Sequence, residues 1–147
     1  MPSKSNEQQN QAKRLGILGE TLVQAFLLEH ADFCYPTCDS HPADLILELG
    51  SALYKVQVKA RNPSKEGKFT FPIEAYRKIS KTHANYHCEL LAFVFLPSKR
   101  IYFKANTASQ QYYIYSQKHI KKDMEITSFQ EALNQLSSIP VINSLLD

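Results

Sequence analysis

The chain has 147 residues, 44% of them hydrophobic, which suits one domain with a single closed core spanning residues 1–147. No apolar run approaches the roughly 20 residues of a membrane span, the start MPSKSNEQQNQAKR lacks the apolar stretch of a secretory signal, and three cysteines argue against a disulfide framework and for a reducing cytoplasm. Net charge is only +3, yet from Lys55 to Lys104 eleven Lys/Arg stand against three Glu, leaving +8 in that segment. Such a concentration is either a footprint for a polyanion or a solvated basic surface.

In chain order, residues 1–10 read as a flexible polar arm. From about 11 to 30 the spacing predicts a helix, with Leu15, Leu18, Leu22, Ala25 and Phe26 on one stripe. Ile17, Val23, Leu27 and Leu28 carry apolar character nearly all round it, which predicts burial on more than one side. Glu20 sits at the margin of that apolar surface. A short strand follows over 33–37, and then the stretch HPADLILELGSALYKVQVKA reads as a hairpin. Gly50-Ser51 suits a two-residue turn with positive φ at the glycine, which pairs Leu49 with Ala52 and hence Asp44 with Gln57. Period two puts Asp44, Ile46, Glu48, Leu53, Lys55, Gln57 and Lys59 on one face, with Leu45, Leu47, Leu49, Tyr54, Val56 and Val58 facing the core.

Residues 61–68 read as a polar loop, and Pro72 leads into an expected short helix over 73–80. The apolar run 90–96 has strand length. A turn at Pro97-Ser98-Lys99-Arg100 connects it to a strand over 101–104, and 112–115 suits another. Ser128-x-x-Glu131 reads as a capping box opening a last helix. The expectation is a mixed α/β domain around one central sheet flanked by helices, with 105–147 as a C-terminal extension.

An aspartate opposite a second oxygen donor, with a lysine two residues further on, is what metal-dependent phosphodiester hydrolysis needs. Carboxylates hold Mg²⁺, a hard cation that keeps waters and binds phosphate oxygens, and it makes bound water a stronger acid. An ammonium orients the nucleophile and neutralises developing charge. Asp44, Gln57 and Lys59 supply that pattern, and Glu20 would complete the cation's ligand set. The plain alternative is an exposed hairpin face whose Asp44–Lys59 pair is worth about 0–1 kcal/mol. For Glu48 and Lys55, nearer the turn, surface charge is the favoured reading. Cys34, Cys38 and His41, with His83, His87 and Cys88, contain zinc-binding residue types, but their spacing fits no finger or ribbon, and buried free cysteine is the commoner explanation.

Gly19-Glu20 on the first helix, Pro42-Ala43-Asp44, and Gln57-Val58-Lys59 together resemble the PD-(D/E)XK nuclease superfamily, in the form that carries Gln-x-Lys. The motif elements span 19–59, and the element order matches to about residue 104. The resemblance implies a restriction-endonuclease-like αβββαβ core, catalytic residues Glu20, Asp44, Gln57 and Lys59, and Mg²⁺ held by Asp44, Glu20 and Val58. An amide at 57 removes one negative charge from the site. Either its side-chain oxygen or only the Val58 carbonyl then contacts the metal. Among small members the chain looks most like the homing endonucleases of bacterial group I introns.

That implies a site-specific, Mg²⁺-dependent endonuclease acting on double-stranded DNA in the cytoplasm. The alternatives are a restriction endonuclease or Holliday-junction resolvase of the same fold, or a catalytically silent DNA-binding module. Arg61, Lys65, Lys68, Arg77, Lys78 and Lys81 are the expected phosphate contacts. Lys118, Lys121 and Lys122 suit plain surface equally well. A long DNA site read by a small chain implies a homo-oligomer, with 111–115 and 139–146 as candidate interfaces.

Overall fold

The computed structural model describes residues 5–38, 41, 43–73, 88–106 and 112–138. Helix α1 (Asn6–His30) leads into strand β1 (Phe33–Pro36) and the hairpin β2 (Leu45–Leu49) and β3 (Ala52–Arg61). Strands β4 (Lys68–Pro72), β5 (Leu90–Phe95), β6 (Arg100–Ala105) and β7 (Tyr112–Ser116) follow, and helix α2 (Met124–Ser138) closes the described chain. Five strands form a mixed sheet in the order β1-β2-β3-β5-β6, in which only the β3–β5 pair is parallel. This is the expected α/β class. A second sheet, β4 with β7, was not expected. Its first strand is the alternating run Lys68-Phe69-Thr70-Phe71, which buries Phe69 and Phe71 and exposes the other two.

The two faces of the large sheet carry separate cores. On one, α1 and α2 bring Val23, Leu27, Phe129 and Ala132 onto Leu45, Leu47, Val56, Ala92, Val94 and Phe103. On the other, β4 and β7 bring Phe69, Phe71 and Tyr113 onto Leu91, Phe93 and Phe95. The Phe71 and Phe93 rings stack with centroids 4.5 Å apart.

The hairpin register is the expected one: Leu49 pairs with Ala52 and Leu45 with Val56, and Gly50 has φ 62°. Three other expectations need correction. Residues 6–10 are helical rather than an arm, because Ser5 caps α1 in a reciprocal box: its hydroxyl accepts the Gln8 N–H, and the Gln8 side-chain oxygen accepts the Ser5 N–H. Helix α1 packs on one face only, since Ile17, Ala25 and Leu28 are exposed. Ser128 opens no helix, because α2 starts at Met124. Its buried hydroxyl instead donates to the Glu125 carbonyl and accepts the Phe103 N–H at 2.9 Å, tying α2 to the edge strand β6.

The expected helix over 73–80 falls on residues 74–80, outside the described residues, as do residues 1–4, Gln111 and the tail 139–146. Of the first interface candidate, Tyr112 and Ile114 are exposed while Tyr113 is buried. No helix among the described residues is long and apolar enough to cross a membrane.

Candidate active site

Strand β3 outlasts its partner. Strand β2 begins at Leu45, opposite Val56, so from Gln57 onward, among the described residues, β3 is paired with β5 on one edge alone. Backbone direction alternates along a strand. The Lys55 and Arg61 carbonyls accept from Glu89 and Leu96 on the β5 side, so the odd residues address β5. The Val56 carbonyl accepts the Asp44 N–H at 2.9 Å, so the even residues address β2 and, past its end, open space. The Val58 N–H and C=O therefore face the unpaired edge.

Asp44 fills the place that β2 leaves. Its Oδ2 accepts the Val58 N–H at 2.8 Å, and its backbone carbonyl accepts from the Thr37 N–H and hydroxyl, each at 3.1 Å. Thr37 also donates to the Ala43 carbonyl, so the chain entering β2 is pinned on both sides of Asp44. The sequence reading stood Asp44 on the sheet face beside Gln57. The carboxylate turns instead into the plane of the sheet, because the Val58 N–H there needs an acceptor that the missing strand would have supplied.

Glu20 comes from the helix layer. An added Cβ on Gly19 would lie 2.9 Å from the Ala60 Cβ, so the glycine lets α1 approach β3 closely. The next residue, Glu20, is half-buried beside the open edge. Gln57 and Lys59 project from the opposite face of β3, since Val58 and Ala60 pack under α1. A cleft of about 400 Å³ wraps round the open edge, lined by Glu20, Asp44, Gln57, Val58, Lys59 and Arg61 among others. Glu20 and Asp44 also line a smaller adjoining cavity of about 170 Å³ with Thr37, Cys38 and His41. The four expected catalytic residues and Val58 are thus brought together, from α1, the start of β2 and the end of β3.

Gln57 has a buried neighbour that the sequence did not suggest. Its Oε1 lies 3.9 Å from Cys88 Sγ as acceptor for the thiol, and Asn106 Nδ2 donates to the Cys88 carbonyl at 3.0 Å. Burial pushes the Cys88 thiol up to about 12 and that of Cys34 to about 11. These two cysteines lie in the two different cores, and Cys38 is exposed. Among the described residues no three His, Cys, Asp or Glu converge as metal ligands, and His83 and His87 lie outside those residues.

The oxygens that line the open edge belong to two carboxylates and a backbone carbonyl, with the Gln57 amide beside them and its own oxygen on Cys88. All are hard donors, and the cleft has room for water beside a cation. That set fits Mg²⁺ and not a thiolate-seeking metal.

Of the expected phosphate contacts, Arg61 lines the cleft, its guanidinium donating to the Ala60 carbonyl at 2.9 Å along the same edge. Lys65 and Lys68 are exposed beyond it, and Arg77, Lys78 and Lys81 lie outside the described residues. Lys118 and Lys121 are exposed at a separate cavity beside Tyr102 and Tyr115. Glu48 and Lys55 are half-buried and line neither site cavity.

No protein-family model matches the sequence, and no curated protein does. Among solved structures the chain is similar to a bacterial homing endonuclease, I-Ssp6803I, with a TM-score of 0.60 over 88% of this chain and 98% of that one. At 11% identity the likeness is one of architecture.

Proposed function

We propose that this chain is a Mg²⁺-dependent endonuclease of double-stranded DNA, of the PD-(D/E)XK type in its Gln-x-Lys form and of the homing kind. It would act in the cytoplasm as a homo-oligomer of single domains running 1–147. The observation that carries the reading is Asp44, fixed at the end of β2 by the Val58 N–H, sharing one cleft with Glu20 and Lys59 on this fold.

Asp44, Glu20 and the Val58 carbonyl would hold the cation, with Gln57 beside them. When bound, Mg²⁺ supplies Lewis acidity, making water a better acid and neutralising charge at the phosphate. Asp44 enters the reaction pre-oriented, because its other oxygen is committed to the backbone. Lys59 orients the attacking water and carries positive charge to the phosphate as negative charge develops. Arg61 in the cleft, with the exposed Lys65 and Lys68 that follow it in the chain, would serve as phosphate contacts, which bring affinity and salt dependence rather than sequence choice.

The silent DNA-binding module is favoured by one observation, that two carboxylates and an amide stand where three acids would bind a cation more tightly. Plasmid DNA incubated with the protein across a Mg²⁺ titration decides between them. Cleavage that EDTA stops supports the nuclease, and binding without cleavage at every Mg²⁺ concentration supports the silent module. Preference for a four-way junction over linear duplex in a competition gel would reassign the substrate.

A further inference from the structure

Three polar groups behind the cleft form a chain whose direction can be worked out atom by atom. It begins at the Cys88 carbonyl, which can only accept. That fixes Nδ2 as the end of the Asn106 amide turned towards Cys88, at 3.0 Å. The same nitrogen lies 3.5 Å from Cys88 Sγ and can only donate to it, so the sulfur already accepts from Asn106. The backbone N–H of Asn106 donates to the Glu89 carbonyl at 2.8 Å, which locks this end of β6 against the start of β5. The thiol hydrogen points to Gln57, whose contacting atom 3.9 Å away is the oxygen. The amide nitrogen of Gln57 is the end turned away from Cys88.

We propose that Cys88 and Asn106 are positioning residues that hold the Gln57 amide with its oxygen on the thiol, so that Gln57 serves the cleft as a hydrogen-bond donor. The inference rests on the endonuclease reading for its use and on the contacts alone for its geometry. A thiol is a weak donor, but it has only to choose between two amide orientations. The flipped one would turn a second N–H group onto the sulfur and leave the buried S–H without an acceptor. Asp44, Glu20 and a phosphate all present oxygens, so an NH₂ group lining the same cleft has acceptors there. The cation then needs only Asp44, Glu20 and the Val58 carbonyl, and the charge lost by having an amide at 57 is compensated by a donor that an acid could not provide.

The test uses metal-free, ¹⁵N-labelled protein and the side-chain NH₂ signals of Gln57, identified by their loss in Gln57→Ala. Cys88→Ala should speed solvent exchange of that NH₂ group about tenfold, the effect of freeing a buried acceptor, and Cys88→Ser should restore slow exchange. Unchanged exchange in Cys88→Ala, or no rescue by serine, overturns the proposal. Single-turnover cleavage supplies the second arm. Cys88→Ala should cost about tenfold, and Cys88→Ala combined with Gln57→Ala should be no slower than Gln57→Ala alone, the signature of two residues acting as one unit. Multiplying losses would make Cys88 merely structural and overturn it. Wild-type protein that cuts no DNA defeats the endonuclease reading instead, and the exchange measurement still decides the positioning.

Discussion

Strands β5 and β3 lie side by side in one sheet and have opposite characters. Strand β5 is paired on both edges and covered on both faces, and all six of its residues, Leu90-Leu91-Ala92-Phe93-Val94-Phe95, are buried. Strand β3 matches that only at Val56, its one buried residue: residues 52–55 pair with β2 alone and residues 57–61 with β5 alone. Past that point β2 has ended, and the chain carries Gln57, Lys59, Arg61 and Asn62. Polar chemistry enters this sheet where strand pairing stops. The groups that a longer β2 would have occupied become fixtures of the site, the Val58 N–H holding Asp44 and the Val58 carbonyl facing the cleft.

The contrast can be broken from either side. The largest stability effect belongs to the closed strand: Phe93→Ala removes a fully buried ring stacked on Phe71 and should cost about 3–5 kcal/mol in denaturant unfolding. A cost under about 1 kcal/mol would mean that β4 and β7 do not seal that face. Gly19→Ala comes next. Its Cβ would meet Ala60 at 2.9 Å, so about 1–3 kcal/mol of stability should go. Because the collision pushes α1 off β3, cleavage should fall by more than stability accounts for, as Glu20 leaves the cleft. Retained activity with lost stability would show that Glu20 tolerates displacement.

The smallest effect is one of pH. Burial raises the Cys34 and Cys88 thiols from 9.0 to about 11 and about 12, so the folded chain keeps protons that the unfolded chain releases. Stability should therefore fall as pH rises above about 9, over a window ending near 11 for Cys34 and 12 for Cys88. Denaturant midpoints at pH 8 and pH 10 check this, with Cys34→Ala and Cys88→Ala each flattening the decline.

The sheet's centre could be read from the sequence because its signals are local. Gly50-Ser51 and the alternation around it set the hairpin register, and the 90–96 run has the length of a strand. The candidate site residues Asp44, Gln57 and Lys59 could be placed near one another for the same reason, since they sit on or beside that hairpin. What escaped depended on contacts between distant segments. Ser128 has the spacing of a helix cap, yet its hydroxyl serves the Phe103 N–H across 25 residues. Cys88 reaches Gln57 across 31 residues, and its neighbours His83 and His87 suggest a zinc-binding residue type rather than a partner for Gln57. The Ser5–Gln8 box is local and was legible, but a wholly polar segment without apolar periodicity reads as coil unless its cap is noticed. The direction of the Asp44 carboxylate followed from where β2 ends, and period two alone cannot give that.

The central claim is that the open edge of β3 is a phosphodiester-cleaving site, and Mg²⁺-dependent plasmid cleavage by Asp44→Ala and Lys59→Ala beside wild type tests it most directly. Each substitution should slow cleavage by about a thousandfold or more, roughly 4 kcal/mol of transition-state stabilisation, while DNA affinity measured without metal stays within about twofold. Wild-type cleavage rates in either variant would contradict it.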